Sequence, residues 1–426
     1  MVSKKIAILG LGTVGQGVFR VLRDHQAKIT SQLHHALEVK KIFVRSPEKV
    51  TEEFSSQAEI VTDYQEIIAD PDIDIVVEVM GGIDFAKQCI EGALQAGKAV
   101  VTANKDLICE HGAALSQLAE TKELDLRFEA AVAGGIPILN TLRNSFAGDE
   151  VTEILGILNG TSNFIISEMT ENGSSYQEAL AKAQKLGFAE ADPSADVDGL
   201  DAGRKAVILA KMGFGISLNL DDVMIKGISD LNAVDIEIAK NLGYVIKSLA
   251  VLDRQGEKFA CEVQSFLLEK SHPLAMVKQE MNAVYTKSKA GGEMMFYGPG
   301  AGELPTGVAV VSDIIQVAKN QEDDDYQVFA NYRLDEKVHL SAQANYPYYY
   351  RLAIQDQSQG LKTLLDLLNQ EGISINHLGN YQEGMLYILT SPGSYSSHQA
   401  IAKQLENAQG VELLASYPIF NEEKED

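Results

Sequence analysis

The chain has 426 residues, 45% of them hydrophobic and 23% charged, and 60 acids against 36 bases give it a net charge of −24. The length exceeds one ordinary core and predicts two or three domains, while the acidic balance argues against a nucleic-acid partner, which needs a basic surface to release counterions. Cys89, Cys109 and Cys261 form no C-x-x-C pair and no run of eighteen apolar residues occurs, so a disulfide framework, a zinc site and a membrane partner are not expected.

The first seventeen residues place two lysines ahead of an apolar stretch, as a secretion signal would. Gly10, Gly12, Gly15 and Gly17 interrupt that stretch and no small-residue cleavage site follows, so the cytoplasm is the expected compartment. Residues 4–9 form a short apolar run ending in glycine and read as a buried parallel strand, followed by helical spacing over 14–23. Further apolar runs at 40–44, 73–79, 99–102 and 126–130 alternate with helical stretches such as 86–95 and 113–121. That alternation predicts an α/β fold with a Rossmann-type doubly wound parallel sheet over residues 1–138.

From 139 to 305 the pattern becomes α+β, with helices at 175–186, 200–211 and 235–242 and strands at 244–253 and 258–266. Residues 306–320 have helical spacing and are expected to pack back on the first domain. An acidic linker is expected over 321–345, starting with Gln321 to Asp325. The segment 346–426 reads as a separate βαββαβ, ferredoxin-like unit, with strands at 349–354, 373–378, 385–390 and 411–417 and helices at 361–369 and 397–408. Residues 422–426 are expected to fray.

Gly10-Leu11-Gly12-Thr13-Val14-Gly15-Gln16-Gly17 follows a strand and opens a helix, the context that a dinucleotide fingerprint requires. Gly10 permits the tight turn, Gly12 lets the backbone approach a pyrophosphate, and Gly15 lets helix and strand pack closely. The helix start at Thr13 and Val14 offers unpaired N–H groups to the phosphates. A lone glycine pattern is weak evidence, and its plain alternative is a flexible turn; the βαβ setting favours a nucleotide. At the end of the second strand Arg45 stands where an acid would select NAD. A cation there suits the 2′-phosphate of NADPH, with NADH the alternative if Arg45 is only a solvated strand-end charge.

Hydride reduction of a carbonyl needs a cation or acid near the oxygen, where negative charge develops. Lys105 lies just beyond a strand's carboxyl end, where open α/β sheets place ligands. Lys205 follows a crowd of acids, Glu190, Asp192, Asp196, Asp198 and Asp201. Asp198 could cap a helix with Asp201 as an imperfect capping box, and Asp201 and Lys205, spaced i, i+4, share a face. A lysine taken alone is more often a solvated helix face. A calcium loop in this stretch would need a bidentate acid at its twelfth position, where Lys205 stands, so that reading fails. Cys109 could be a thiol nucleophile, although a small packed cysteine accounts for it as well.

Taken together the motifs resemble homoserine dehydrogenase over essentially the whole chain. They are the Gly10–Gly17 turn, Thr102-Ala103-Asn104-Lys105, residues 129–137, Gly156-Ile157-Leu158-Asn159-Gly160-Thr161-Ser162-Asn163, residues 187–205 and Phe296-Tyr297-Gly298-Pro299-Gly300-Ala301-Gly302. The resemblance implies interconversion of L-homoserine and L-aspartate 4-semialdehyde with NAD(P)H, in threonine, methionine and isoleucine synthesis. It implies Lys205 as proton donor to the aldehyde oxygen, Lys105 as a second essential cation that also meets the cofactor, and Asp201 as support for Lys205. It assigns the substrate to Glu190 (for its ammonium), Asp196, Gly160 and Thr161. It further implies a sodium ion held at Glu129, Val132, Gly134 and Ile136, and a homodimer or higher homo-oligomer.

The last segment resembles an ACT domain, with Gly360 between its first strand and first helix, Asp356 just before, and Gln359 where a proline is usual. That likeness implies threonine as an effector, or a module serving only oligomerisation. Rival readings are a non-catalytic NADP and amino-acid sensor, and a reductase of another semialdehyde or 2-oxoacid. The chain starts at the nucleotide fold, so no fused aspartate kinase is expected.

Overall fold

A computed structural model of the protein describes residues 3–322, 325–326, 339–340, 345–354, 357–405 and 408–420. The chain forms two compact units: Met1–Val151 with Arg204–Leu220 and Asn282–Lys337, and Thr152–Gly203 with Asp221–Met281 and Val338–Asp426. Among the described residues no helix is long and apolar enough to cross a membrane.

In the first unit, six strands, β1 (Ser3–Leu9), β2 (Ala36–Phe43), β3 (Glu59–Val61), β4 (Ile75–Glu78), β5 (Ala99–Thr102) and β6 (Leu126–Arg127), form a sheet in the order β3-β2-β1-β4-β5-β6. Every pairing in it is parallel. This is the expected Rossmann-type doubly wound sheet. β4 and β5 are buried at every position, which is why they read as unbroken apolar runs: helices cover both faces. The helix Glu303–Glu322 packs on Thr13–Asp24 through two glycines. A Cβ on Gly17 would lie 2.0 Å from the Glu303 carbonyl oxygen, and one on Gly307 would lie 2.7 Å from the Gly17 carbonyl carbon. Val310, Ile314 and Val317 of that helix share a core with Ile6, Ile8 and Val18.

Two expectations fail here for local reasons. β6 stops at Arg127 rather than residue 130, because Glu129–Ala131 is a 3-10 turn. There the Glu129 N–H bonds the Asp313 carboxylate at 2.8 Å instead of a neighbouring strand. The acidic stretch from Gln321 does not begin a linker, since the helix runs through Glu322; most of 323–344 lies outside the described residues, as do Asp356 and 422–426.

The second unit carries a mixed sheet in the order Val151–Ile157, Tyr244–Gln255, Lys258–Glu269, Val411–Phe420, Tyr348–Ile354, Met385–Thr390, Ile375–Gln382. With helices Gln357–Gln370 and Tyr395–Leu405, the last segment runs βαββαβ in chain order. It does not stand apart as a separate unit. Leu267 and Leu268 pair in parallel with Ile419 and Phe420, and Tyr349, Tyr417 and Ile419 share one buried cluster with Phe164, Ile236 and Leu267. Such pairing covers a strand edge that would otherwise present unpaired backbone groups.

Glu262 sits in the middle of Lys258–Glu269, a strand buried along nearly its whole length. The residue has no exposed surface. Burial pushes its carboxyl up to about 7, while Gln264 and Tyr346 hold it down in part. A raised folded-state value means that the carboxyl favours folding only where it is protonated in both states. That contribution fades as pH rises from the unfolded value toward 7 and is absent above it. We expect Glu262→Gln to unfold at a higher temperature than wild type at pH 8, by a margin worth up to about 3 kcal/mol for a shift of this size. The gap should close below pH 5 in parallel thermal melts. A gap independent of pH removes the assignment.

Candidate active site

The carboxyl edge of the parallel sheet assembles the first part of the site. β1 is followed directly by Gly10, whose φ of +97° favours glycine, and whose N–H bonds the Phe43 carbonyl at 3.0 Å. A Cβ on Gly12 would meet nothing within 4 Å, which leaves its backbone approachable, whereas one on Gly15 would lie 2.1 Å from the Gly10 carbonyl oxygen. The helix Thr13–Asp24 has no side-chain cap, so the first-turn amides of Thr13, Val14 and Gly15 lack the intrahelical acceptor that later residues have. Such free first-turn amides suit an anion, as a phosphate turn requires.

A pocket of about 450 Å³ opens beside this turn, with Gly10, Gly12, Phe43, Arg45, Lys49 and Met80 in its wall. Arg20 also lines it but is engaged by Glu53 and Glu303. Its guanidinium, with that of Arg23, holds the Glu53 carboxyl down to about 2. Arg45 and Lys49 are exposed and, among the described residues, neither makes an ion pair. Lys49 went unnoticed in the sequence, being one of several charges in a polar stretch after the strand.

β5 ends at Thr102 and the helix Lys105–Thr121 begins three residues later, eight residues before the expected start at 113, with Asn104 as its cap, accepting from the Leu107 N–H at 3.2 Å. The turn is held by a residue that sequence reasoning missed. Glu78, fully buried at the end of β4, accepts from the Thr102 hydroxyl at 2.7 Å and from the Met80 N–H at 2.8 Å. Its burial shifts the carboxyl upward against those hydrogen bonds. The only signal for it is a carboxylate closing an apolar strand ahead of Gly81-Gly82.

Lys105 and Lys205 are both half-buried. Asp106 and Arg204, their immediate neighbours, form an ion pair at 3.1 Å, which sets the two lysine-bearing turns side by side within the first unit. Cys109 lies in the same helix, where burial pushes its thiol up to about 11. A thiol so disfavoured as thiolate is a poor nucleophile.

The acidic residues belong to the second unit. The helix Tyr176–Leu186 starts with a full Ser175–Glu178 capping box and stops at Gly187, φ +81°. The chain then turns back, with the Phe188 N–H bonded to the Ala183 carbonyl at 2.9 Å. Glu190 follows with an exposed side chain, its carbonyl accepting from the Gln184 amide at 3.1 Å. Asp196 lies in the short helix Ser194–Val197, which Asp198 terminates. The expected capping role of Asp198 is therefore wrong. Gly199, φ +84°, precedes Leu200–Phe214, and its carbonyl takes the Gly203 N–H at 2.9 Å. A left-handed residue is needed at that junction and only glycine adopts it freely.

Asn159, whose contacts were also missed, caps the helix Gly160–Asn172. Its amide donates to Asp196 at 2.7 Å and to Asp201 at 2.9 Å. Thr161 is buried and its hydroxyl donates to the Phe188 carbonyl at 2.6 Å, so Gly160 and Thr161 offer a ligand their backbone amides at the helix start.

The turn at Glu129 is built differently from a carboxylate metal site. Both Glu129 oxygens accept backbone N–H groups, from Leu139 at 2.9 Å and Asn140 at 2.7 Å. Burial beside Asp313 pushes the carboxyl up to about 8. Ala133 and Gly134 are both left-handed, and a Cβ on Gly134 would lie 2.3 Å from the Gly300 carbonyl oxygen. Among the described residues no group of three or more His, Cys, Asp or Glu could hold a metal.

The family model for homoserine dehydrogenase matches residues 137–315, and the model for the homoserine dehydrogenase NAD binding domain matches residues 10–129. The homoserine dehydrogenase of Bacillus subtilis is 39% identical over 425 residues, covering 98% of both chains. The crystal structure of a homoserine dehydrogenase from Thiobacillus denitrificans superposes with a TM-score of 0.94 at 33% identity, covering 99% of each chain. A hyperthermophilic archaeal homoserine dehydrogenase in complex with NADPH matches 74% of this chain and 98% of its own, with a TM-score of 0.64 at 26% identity.

Proposed function

The chain belongs to the homoserine dehydrogenase family, oxidoreductases that act on a CH–OH group with NAD(P), and on that premise we propose that it interconverts L-aspartate 4-semialdehyde and L-homoserine with NADPH as the preferred cofactor. The observation that carries the reading is the Asp106–Arg204 ion pair, which sets the Lys105 and Lys205 turns together at the carboxyl edge of a nucleotide-binding sheet. A non-catalytic sensor has no need of two lysine-bearing segments tied together there.

When bound, the nicotinamide cofactor supplies and receives the hydride. Lys205 donates its ammonium proton to the aldehyde oxygen as the alcohol forms, and takes it back in the reverse direction. Asp201, one helical turn ahead on Leu200–Phe214, holds the charged form of that ammonium. Lys105, at the first position of its helix, stabilises the developing oxyanion. Glu190 receives the substrate's ammonium, and Asp196 with the amides of Gly160 and Thr161 completes the substrate's polar contacts. Arg45 takes the ribose 2′-phosphate, supported by its place in the pocket wall. Sodium on the carbonyls of Glu129, Val132, Gly134 and Ile136 would brace the left-handed turn; an assay in potassium in place of sodium reads that contribution.

The product feeds threonine, methionine and isoleucine synthesis in the cytoplasm, a setting consistent with three free cysteines. Met294, Met295 and Tyr297 expose apolar surface on Gly292–Pro299, which supports a homodimer; light scattering tests it. The βαββαβ order supports an ACT-like module with threonine as effector. Gly360, by contrast, uses its missing side chain for packing, since a Cβ there would lie 2.7 Å from the Gly410 carbonyl oxygen.

The deciding experiment follows NADPH oxidation with L-aspartate 4-semialdehyde, and no turnover above background overturns the function. In that assay Lys205→Ala should lose 10²–10⁴-fold in kcat with cofactor affinity unchanged, and retention of more than about a tenth of the rate contradicts a proton-donor role. Arg45→Ala should lower the ratio of NADPH to NADH efficiency; an unchanged ratio removes the 2′-phosphate assignment. Threonine should depress the rate of the full chain, and a flat titration removes the effector.

A further inference from the structure

We propose that Asn159 is a positioning residue that holds Asp196 and Asp201 in one fixed arrangement. The inference rests on the function proposed above and assigns a role that the helix cap alone does not explain. The Asn159 side chain is 9% exposed, and each of its polar groups is engaged. The Oδ1 accepts from the Ser162 N–H at 2.8 Å, which caps Gly160–Asn172. The Nδ2 has two hydrogens, one donated to Asp196 Oδ1 at 2.7 Å and one to Asp201 Oδ2 at 2.9 Å.

A lysine or arginine at this position would bring a charge of its own, whereas the amide donates to both acids and adds none. Asp196 and Asp201 are thereby fixed relative to each other and to the helix that carries Lys205 one turn further along. The cap bond fixes the amide's orientation, because Oδ1 toward Ser162 leaves Nδ2 toward the acids. Ser162 adds a second tie to the same segment, its hydroxyl donating to the Asp196 carbonyl at 3.0 Å.

Two substitutions separate positioning from capping. Asn159→Ser keeps a good helix cap but cannot donate to both acids. Asn159→Asp keeps shape and cap but is acceptor-only when ionised, placing a third carboxylate against the pair. We expect Asn159→Ser to melt close to wild type and to lose at least tenfold in kcat for aspartate semialdehyde reduction, with KM for NADPH unchanged. Asn159→Asp should lose more at pH 8 and recover toward acid, where its carboxyl regains a proton to donate, so that the acid limb of its rate profile departs from that of wild type. Both variants within twofold of wild type from pH 6 to 9 overturn the inference. So does a loss of rate that only tracks a fall in melting temperature with the pH profile unaltered, since a cap alone explains it. An inactive wild type overturns the proposed function and this role with it; an active wild type beside unaffected variants overturns this role alone.

Discussion

One carboxylate without access to water organises the edge of the sheet where chemistry is expected. Glu78 ends β4 at the point where the apolar run gives way to the Gly81-Gly82 turn, and its oxygens take the Met80 N–H and the Thr102 hydroxyl. Thr102 in turn accepts the Asn104 N–H at 3.0 Å, and the Asn104 amide reaches back to the Gly82 carbonyl at 2.6 Å. The loop after β4 is thereby stitched to the loop after β5 by a closed set of polar contacts. Around the fully buried Glu78 and Thr102 each of those bonds is strong and each unmade one is costly. Lys105 is the first residue of the helix that this set caps, so its backbone position is fixed before any ligand arrives. Rate depends on such preorganisation, because a small misplacement of a reacting group costs orders of magnitude.

The distribution of charge shows how a chain of net charge −24 can receive an anionic cofactor. The average field repels phosphate, so attraction has to be local. The cations near the nucleotide turn fall into two kinds. Arg20 and Arg23 are neutralised by Glu53, Glu303 and Asp24 and serve to fasten helices. Arg45 and Lys49 stand in the wall of the pocket that Gly10 and Gly12 also line, without a carboxylate partner among the described residues. Helix N-terminus and unpaired cation add at the same point. In the second unit a neutral donor, Asn159, meets Asp196 and Asp201 and adds no charge to them.

Much of this was legible in the chain and some was not, for reasons that differ by element. β1, β4 and β5 announced themselves because burial on both faces forces continuous apolar runs. β3 is three residues long and begins with an exposed Glu59, too short to carry a period. β6 was read too long because residues 128–132 are buried in a turn, and burial does not distinguish a turn from a strand. The Gly10 turn was visible because glycine is required there by backbone conformation. Asp198 was misread as a cap because acidic spacing resembles a capping box, while the left-handed Gly199 that decides the junction leaves no trace in spacing. The contacts of Glu78 and Asn159 escaped, although Asn159 lay within one of the recognised motifs. Their partners lie 24, 37 and 42 residues away, and a hydrogen bond over such separations has no local pattern.

The C-terminal segment shows how much a shared sheet constrains communication. Read from the chain alone it was a separate βαββαβ unit after an acidic linker. In the fold Arg351 grips Asp235 with two hydrogen bonds, 2.6 and 3.0 Å, and Tyr349 adds a third at 2.9 Å. Asp235 has no exposed surface and belongs to the helix Ala233–Asn241, outside the βαββαβ segment. Swinging the segment as a rigid body would tear this pair apart inside the core, and breaking a buried pair costs about 3–5 kcal/mol. It would also break the Leu267–Ile419 ladder and split a cluster of buried aromatic rings. A hinge is therefore the costly way to move a signal through this part of the molecule. Small shifts of strand and helix that leave Asp235 and Arg351 in register are the cheap way, and any effector bound to the segment acts on the rest of its unit through that joint.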